Sequence, residues 1–180
     1  MHVENIHERS LNASSEQVGK LIDSLASRRD LLWPHNSWPP MELDRPLSIG
    51  AIGGHGPIRY LVEAYAPGQS VSFRFLGPKG FDGYHCFEIL NTSNDNTVLR
   101  HTLRMAIRGR AIVTWPLMFR PMHDALIEDS FACAEASLGL PSTVLPWSLW
   151  VRLLRWVISG GRVRKQIAPN RSMQRTRSPD

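Results

Sequence analysis

Between residues 47 and 108 the apolar positions recur at every second residue in five bursts, "LSIGAIG", "PIRYLVEAYA", "SVSFRFLG", "GYHCFEILNT" and "NTVLRHTLRMAIRG". GGHG, APGQ, GPKGFDG and SNDN separate them. Period-two alternation bounded by turn residues predicts strands, and such short links predict antiparallel hairpins. The rhythm on either side is different. "HVENIHERSL" alternates weakly through Val3 and Ile6 and reads as a first strand. In "NASSEQVGKLIDSLA", Ser14 and Gln17 have capping-box spacing, and Val18, Leu21, Ile22 and Leu25 form one helical stripe. The prolines of "WPHNSWPP" end that helix. A second helix is expected over about 117–138, stopping at Gly139 before Pro141, with a start or bend at Pro121. The predicted class is α+β: an antiparallel sheet of six or seven strands, covered on one face and therefore curled around a long C-terminal helix.

This order of elements, the WP break after the first helix, and "TWPLMFRPMHDALIEDSFACAE" resemble the helix-grip fold of the START-related SRPBCC superfamily, and within it the polyketide cyclase/dehydrase and lipid-transport-like branch. The resemblance spans about residues 2–139. It implies a cavity between sheet and long helix that holds an apolar or amphipathic molecule. It implies no particular activity, because the superfamily shares no catalytic signature across its branches.

Strand alternation predicts which residues face that cavity. Ile58, Tyr60, Val62 and Ala64 share a face opposite Arg59, Glu63 and Tyr65; Val71, Phe73 and Phe75 oppose Ser72 and Arg74. His85, Phe87 and Ile89 share the next inward face, and Leu99, His101, Leu103, Met105 and Ile107 the one after it. On the long helix, Arg120, Asp124, Glu128 and Glu135 fall on one side. Met118, Phe119, Met122, Leu126 and Cys133 fall on the other, with Asp129 among them. The expected ligand-binding set is therefore Tyr60, Val62, Phe73, Phe75, His85, Phe87, His101, Leu103, Met105, Met122, Leu126 and Asp129. His85, His101 and Asp129 are its polar members, placed to orient a carbonyl or hydroxyl or, alternatively, to serve acid–base chemistry. A ligand pocket of this kind needs at least ~300 Å³.

Charge changes the picture only at the C-terminal end. Residues 1–140 carry 13 Lys/Arg against 15 Asp/Glu (−2), and residues 141–180 carry 8 against 1 (+7), which together give the net +5. Nucleic-acid binding by the domain is not expected from this balance. The tail begins with "PWSLWVRLLRWVI", a helix whose apolar arc leaves only the stripe Ser148, Arg152, Arg155, Ser159 polar. At ~20 Å it is too short to span a ~30 Å hydrocarbon core. Trp147, Trp150, Arg152, Leu154, Arg155, Trp156, Arg162, Arg164 and Lys165 are its expected contacts, either with an anionic membrane surface or with the domain or a second copy. The expected organisation is a ligand-binding domain over 1–139, an amphipathic basic extension over 140–165, and a disordered tail over 166–180.

Other chemistry is not apparent. The glycines of "GAIGGHGP" precede a strand and lack a following GK[ST], so a hairpin turn is expected there rather than a phosphate loop. The histidines have no HExxH or paired spacing, Cys86 and Cys133 form no CxxC, and no GxSxG occurs, so neither a metal nor a cofactor is expected. The N-terminus has no apolar signal region, and a cytoplasmic protein, peripheral at most to the inner face of a membrane, is expected. The leading functional expectation is carriage or sensing of a small apolar or amphipathic molecule such as a lipid or polyketide. A cyclase- or dehydrase-like enzyme and a ligand-free interaction module at a membrane are the alternatives.

Overall fold

The computed structural model describes residues 1–93, 96–161 and 166, with the backbone alone over 91–93. Its strands are β1 (His2–Leu11), β2 (Glu42–Leu43), β3 (Ile52–His55), β4 (Ile58–Ala66), β5 (Ser70–Gly77), β6 (Phe81–Ser93) and β7 (Asn96–Ile107). Its helices are α1 (Ser15–Asp23), α2 (Ala111–Thr114), α3 (Arg120–Ser137) and α4 (Leu149–Ile158), with a π-helical segment, Trp115–Phe119, joining α2 to α3. The strands form one antiparallel sheet in the order β1-β7-β6-β5-β4-β3-β2. The helix 111–137 lies along its concave face, as the helix-grip class requires.

Helix α1 begins as its sequence dictates. Ser14 accepts from the Gln17 N–H while the Gln17 side chain accepts from the Ser14 N–H, and Val18, Leu21 and Ile22 are buried. The long helix starts six residues earlier than expected. Two prolines shape it. The π turn closes from the Arg120 N–H to the Trp115 carbonyl. Pro121 has no N–H to offer the Leu117 carbonyl, and the Trp150 indole donates to that oxygen instead, at 2.7 Å.

Three strand expectations are corrected. The third strand runs over Ile52–His55 rather than 47–53. Gly53 and Gly54 lie inside it because a Cβ on them would stand 1.9 Å from the Glu42 carbonyl oxygen and 2.0 Å from that of Ile58; the turn itself falls at Gly56, at φ +49°. In β4 a register shift between Val62 and Ala64 reverses the alternation, so Ala64 is exposed and Tyr65 packs toward the core. In β1 the inward positions are Val3, Asn5, His7, Arg9 and Leu11, while Ile6 is exposed.

The inward polar side chains of β1 meet the acidic side of α3. Arg9 donates to Glu128 and Glu135, each at 2.7 Å, and Asn5 donates to Asp124 at 2.9 Å. The acids at the α3 turns thus pair with a strand, forming a half-buried polar seam beside an otherwise apolar core.

Helix α4 is capped by Ser148, which accepts from the Val151 N–H. It docks by one edge. Val151 is buried, and Arg155 lies 4.1 Å from the ring centres of both Trp38 and Trp147 while donating to the Ser37 carbonyl. Of the two placements expected, Arg155 and Trp147 take the one against the domain. Leu154 is half-buried, Arg152 and Trp150 are exposed, Leu149, Leu153, Trp156 and Val157 form an open apolar face, and Ile158, on the opposite side, is also exposed. Arg162, Arg164 and Lys165 lie outside the described residues, as does the expected tail apart from Gln166. That residue donates to Asp129 at 2.7 Å and to the Leu145 carbonyl at 2.8 Å. No helix among the described residues is long and apolar enough to cross a membrane.

Candidate functional site

Strands β3 to β7, the long helix with its π segment and the tryptophan loop before β2 surround a partly open cavity of about 150 Å³. Carbon lines nearly all of it: Trp33, Trp38, Phe75, Phe81, Phe87, Leu103, Trp115, Phe119, Met122 and Leu126, with Ile158 of α4 at its edge. Four histidines interrupt the carbon: His55, His85, His101 and His123. A wider groove of about 450 Å³ crosses the β2–β3 edge past Glu42, Asp44 and Arg59. It is the more open of the two and has only His55 of the four histidines that converge on the smaller space, so the smaller space is the candidate site.

Of the expected ligand set, Phe75, His85, Phe87, His101, Leu103, Met122 and Leu126 line this cavity. Tyr60 and Phe73 lie behind the wall, packed on the His85 ring at centroid distances of 5.2 and 5.0 Å. Val62 is buried in the main core, and Met105 in a second cluster with Phe81, Ile107 and Trp115. Alternation identifies the inward face of each strand, but not how far along the strand the cavity reaches.

Asp129 does not join the histidines. It is buried and accepts from the indoles of Trp38 (2.7 Å) and Trp147 (2.9 Å). The reason is axial. Asp129 lies six residues, about 9 Å of helix rise, beyond His123, past the end of the cavity. His123 takes the position expected for Asp129, with its ring 5.0 Å from that of His101. Its signal was the spacing Phe119, His123, Ile127, an i, i+4, i+8 row that a wheel centred on Met122 passes over. His55 was hidden in a segment read as a turn; its Nδ1 lies 3.2 Å from the Tyr60 hydroxyl.

The electrostatics follow from depth and partners. His85 Nδ1 and His101 Nε2 are 3.3 Å apart. Burial, reinforced by repulsion from neighbouring histidines, holds both pKa values well below 6.5, so both rings are neutral. A neutral pair has one proton per ring, and one proton bridges the two. Whichever ring donates, one remaining nitrogen is a donor and the other an acceptor. Those nitrogens, His85 Nε2 and His101 Nδ1, are buried without a protein partner. Burial also lowers His55 to about 3, with His123 and Arg59 adding repulsion. His123 is lowered by burial against the pull of Asp124. His7 behaves oppositely. Burial opposes its charge, but bonds to Asp124 (3.2 Å from Nε2) and Glu128 (3.0 Å from Nδ1) outweigh burial and raise it to about 9. Against its own burial, Asp124 is held far below the usual carboxylate range by His123, His7 and Asn5.

Fold and site together define an α+β helix-grip domain with a small histidine-bearing cavity. No family model and no curated protein matches the sequence. Solved structures match by fold. A Thermobifida fusca protein shares 11% identity at a TM-score of 0.60, over 79% of this chain and 97% of that one. Truncated norcoclaurine synthase from Thalictrum flavum shares 14% at a TM-score of 0.59, over 78% and 96%. The same synthase in complex with dopamine and hydroxybenzaldehyde shares 12% at 0.54, over 79% and 90%. At such identities the likeness extends to the fold alone.

Proposed function

We propose that this protein binds a small, ring-sized apolar molecule carrying one hydroxyl or carbonyl, with the ring in the aromatic cavity and the polar group on the His85–His101 pair. The observation that carries this is a carbon-lined space bordered by buried imidazole nitrogens without a hydrogen-bond partner in the protein: one donor and one acceptor on the His85–His101 pair, and both ring nitrogens of His123. Buried polar groups are ordinarily satisfied, and leaving one unsatisfied costs roughly 1–3 kcal/mol. Volume limits the guest. About 150 Å³ falls short of the ~300 Å³ expected of a lipid or polyketide pocket, so neither is the guest proposed, whereas an apolar cavity near 150 Å³ accommodates benzene. The Thalictrum synthase structure with two single-ring compounds supports the same scale in this fold.

Binding fits better than acid–base catalysis. A general base works best with a pKa near the ambient pH, and His85 and His101 are far below it, while Asp129 is occupied by two indoles. The test is a titration of the full-length chain with phenol, 4-hydroxybenzaldehyde and toluene. Trp33, Trp38 and Trp115 are the fluorescent reporters, and native mass spectrometry checks for co-purified ligand. Saturable quenching by the two oxygenated rings, stronger than by toluene, is expected. No saturable response to any of the three, and no co-purified ligand, would refute the reading.

The outer face of α4 supports a peripheral contact. Leu149 is 80% exposed and Val157 60%, and the segment 141–180 carries 8 cationic residues against 1 anionic. Isolated apolar side chains on a surface are ordinary, but a contiguous face is covered by something, and the charge selects an anionic lipid surface. Binding to phosphatidylserine vesicles that weakens with salt, and that is lost in Leu153→Ser/Trp156→Ser/Val157→Ser, is the expected result. Concentration-dependent dimerisation without vesicle binding would assign the face to a second copy.

A further inference from the structure

We infer that His7, His123 and Asp124 form a binding site for a divalent first-row transition metal ion, of which Zn²⁺ is the reference case. One nitrogen or oxygen from each residue can be chosen so that all three lie within 4.8 Å of one another. Asp124 Oδ1 stands 3.2 Å from His7 Nε2 and 3.5 Å from His123 Nδ1. Ligands bonded at ~2.0–2.1 Å around a tetrahedral ion are separated by about 3.4 Å, so these edges need little adjustment. Two imidazoles and a carboxylate are donors suited to zinc, iron and nickel, and three protein ligands leave further coordination positions for water or another molecule.

The surroundings of the three groups strengthen the assignment. Glu128 Oε1 accepts from His7 Nδ1 at 3.0 Å, which leaves the Nε2 lone pair for the ion; a carboxylate behind a ligating histidine is the usual orienting arrangement. Arg9 in turn holds Glu128 at 2.7 Å. Asn5 steadies Asp124 from the neighbouring strand position at 2.9 Å. In the ion-free form the His7 proton bridges the two residues, and the ion replaces it, releasing that proton. Asp124 and Glu128 together then balance the divalent charge. Arg120, 3.8 Å from Asp124 Oδ2, is the competing cation, but it is mostly exposed and makes no closer contact there. His123 also lines the cavity, so the ion would sit behind the cavity wall, one imidazole away from it.

The site was not legible in the sequence because His7 and His123 are 116 positions apart and meet only when β1 lies beside α3. Its test is independent of the ring-ligand reading. Full-length protein stripped with EDTA is titrated with Co²⁺, following visible d–d absorption, and then with Zn²⁺, following displacement and melting temperature. One Co²⁺ per chain, displacement by Zn²⁺ and a higher melting temperature are expected. His123→Gln and Asp124→Asn should each weaken binding at least about tenfold, and Glu128→Gln about tenfold through the orientation of His7. His35→Gln, on the far loop, should leave binding unchanged. Far-UV circular dichroism identifies folded variants, so that a variant that misfolds is replaced by the other. Absence of d–d bands at millimolar Co²⁺, or bands that persist in folded His123→Gln and Asp124→Asn, overturns the inference.

Discussion

His7 and His85 are both largely buried between the sheet and the long helix, yet one is charged and the other neutral. His7 lies between two carboxylates and its pKa rises to about 9; His85 lies between Phe73, Phe75 and another histidine and stays neutral. Depth alone lowers both. What separates them is whether the partner is an anion or a ring, and the separation runs through the whole interior. Along β1 the donors of Asn5, His7 and Arg9 are paired with carboxylates of the protein itself, Asn5 Oδ1 alone among these side chains being left over, and the pairs hold the long helix on the sheet. Along β6 and β7 the histidine nitrogens are only partly paired, and those left over belong to residues that line the cavity. Paired groups serve the fold; partly paired ones cost stability and are the natural place for a ligand.

Removing one member of the paired region should have the largest effect. Arg9→Met takes the guanidinium from Glu128, which keeps His7, and from Glu135, which is 8% exposed and keeps the Thr143 N–H. Breaking a buried pair by removing one partner costs about 3–5 kcal/mol, and the partial exposure of Glu128 places this one near 3. A urea midpoint lowered accordingly, at unchanged slope, is the expected result. A loss below about 1 kcal/mol would mean that the seam is solvated and that the two regions do not differ as argued.

The neutral histidines respond to acid. Their folded pKa values lie below the unfolded value of ~6.5, so below that pH the unfolded chain binds more protons than the folded one. Their neutral form contributes fully above about pH 6.5, and stability falls as pH drops beneath it, by up to about 1.4 kcal/mol per pH unit for each histidine. Urea melts at pH 7, 6 and 5 should show this slope in the wild type and a shallower one in His85→Phe/His101→Leu. Equal slopes would show that the pair is not held neutral by burial.

A smaller loss is expected at the helix bend. Trp150→Phe keeps the apolar contact and removes the indole donor from the Leu117 carbonyl that Pro121 leaves open. A hydrogen bond is worth about 0.5–1.5 kcal/mol, and because Trp150 is about half exposed, water can replace the donor. The loss should therefore fall near the lower end of that range, measured against Trp156→Phe as a control with no such bond.

The fold was legible because its signals are local. Alternation, the Ser14–Gln17 box and the Gly139 stop each act within a few residues, and apart from the third strand and the end of β4 each appears where its pattern predicts. The site was half legible. His85 and His101 share the inward face that alternation assigns them, since a hairpin fixes their register: His85 pairs with Leu103 and Phe87 with His101. Asp129 was misplaced because a helical wheel records angle and discards the 1.5 Å rise per residue. Asn5, His7 and Arg9 were missed because polar residues on an inward face break the apolar alternation that identifies such faces, and their carboxylate partners lie more than a hundred residues away. The exposed Ala64 follows from a bulge that no residue type announces.

The double substitution His85→Phe/His101→Leu should change stability least and function most. Taking one histidine away, as in His101→Ala, leaves His85 Nδ1 buried without its partner and opens a void, which costs about 1–3 kcal/mol for the orphaned group alone. Replacing both with apolar side chains removes the orphan. Phe at 85 continues a stack whose neighbours, Phe73 and Phe75, already lie 5.0 and 5.2 Å from that ring, and Leu at 101 fills space beside Phe87. Exchanging both partners for apolar groups of similar shape is nearly neutral, so the urea midpoint at pH 7 should move by less than about 1 kcal/mol in either direction. The cavity keeps its size and loses its donor and acceptor. Affinity for 4-hydroxybenzaldehyde should then fall at least about tenfold, toward that of toluene, because a lost hydrogen bond of about 1.4 kcal/mol is a factor of ten. If instead the double variant loses more than about 2 kcal/mol and binds the oxygenated ring as before, the histidine pair belongs with the paired groups of β1 and serves the fold.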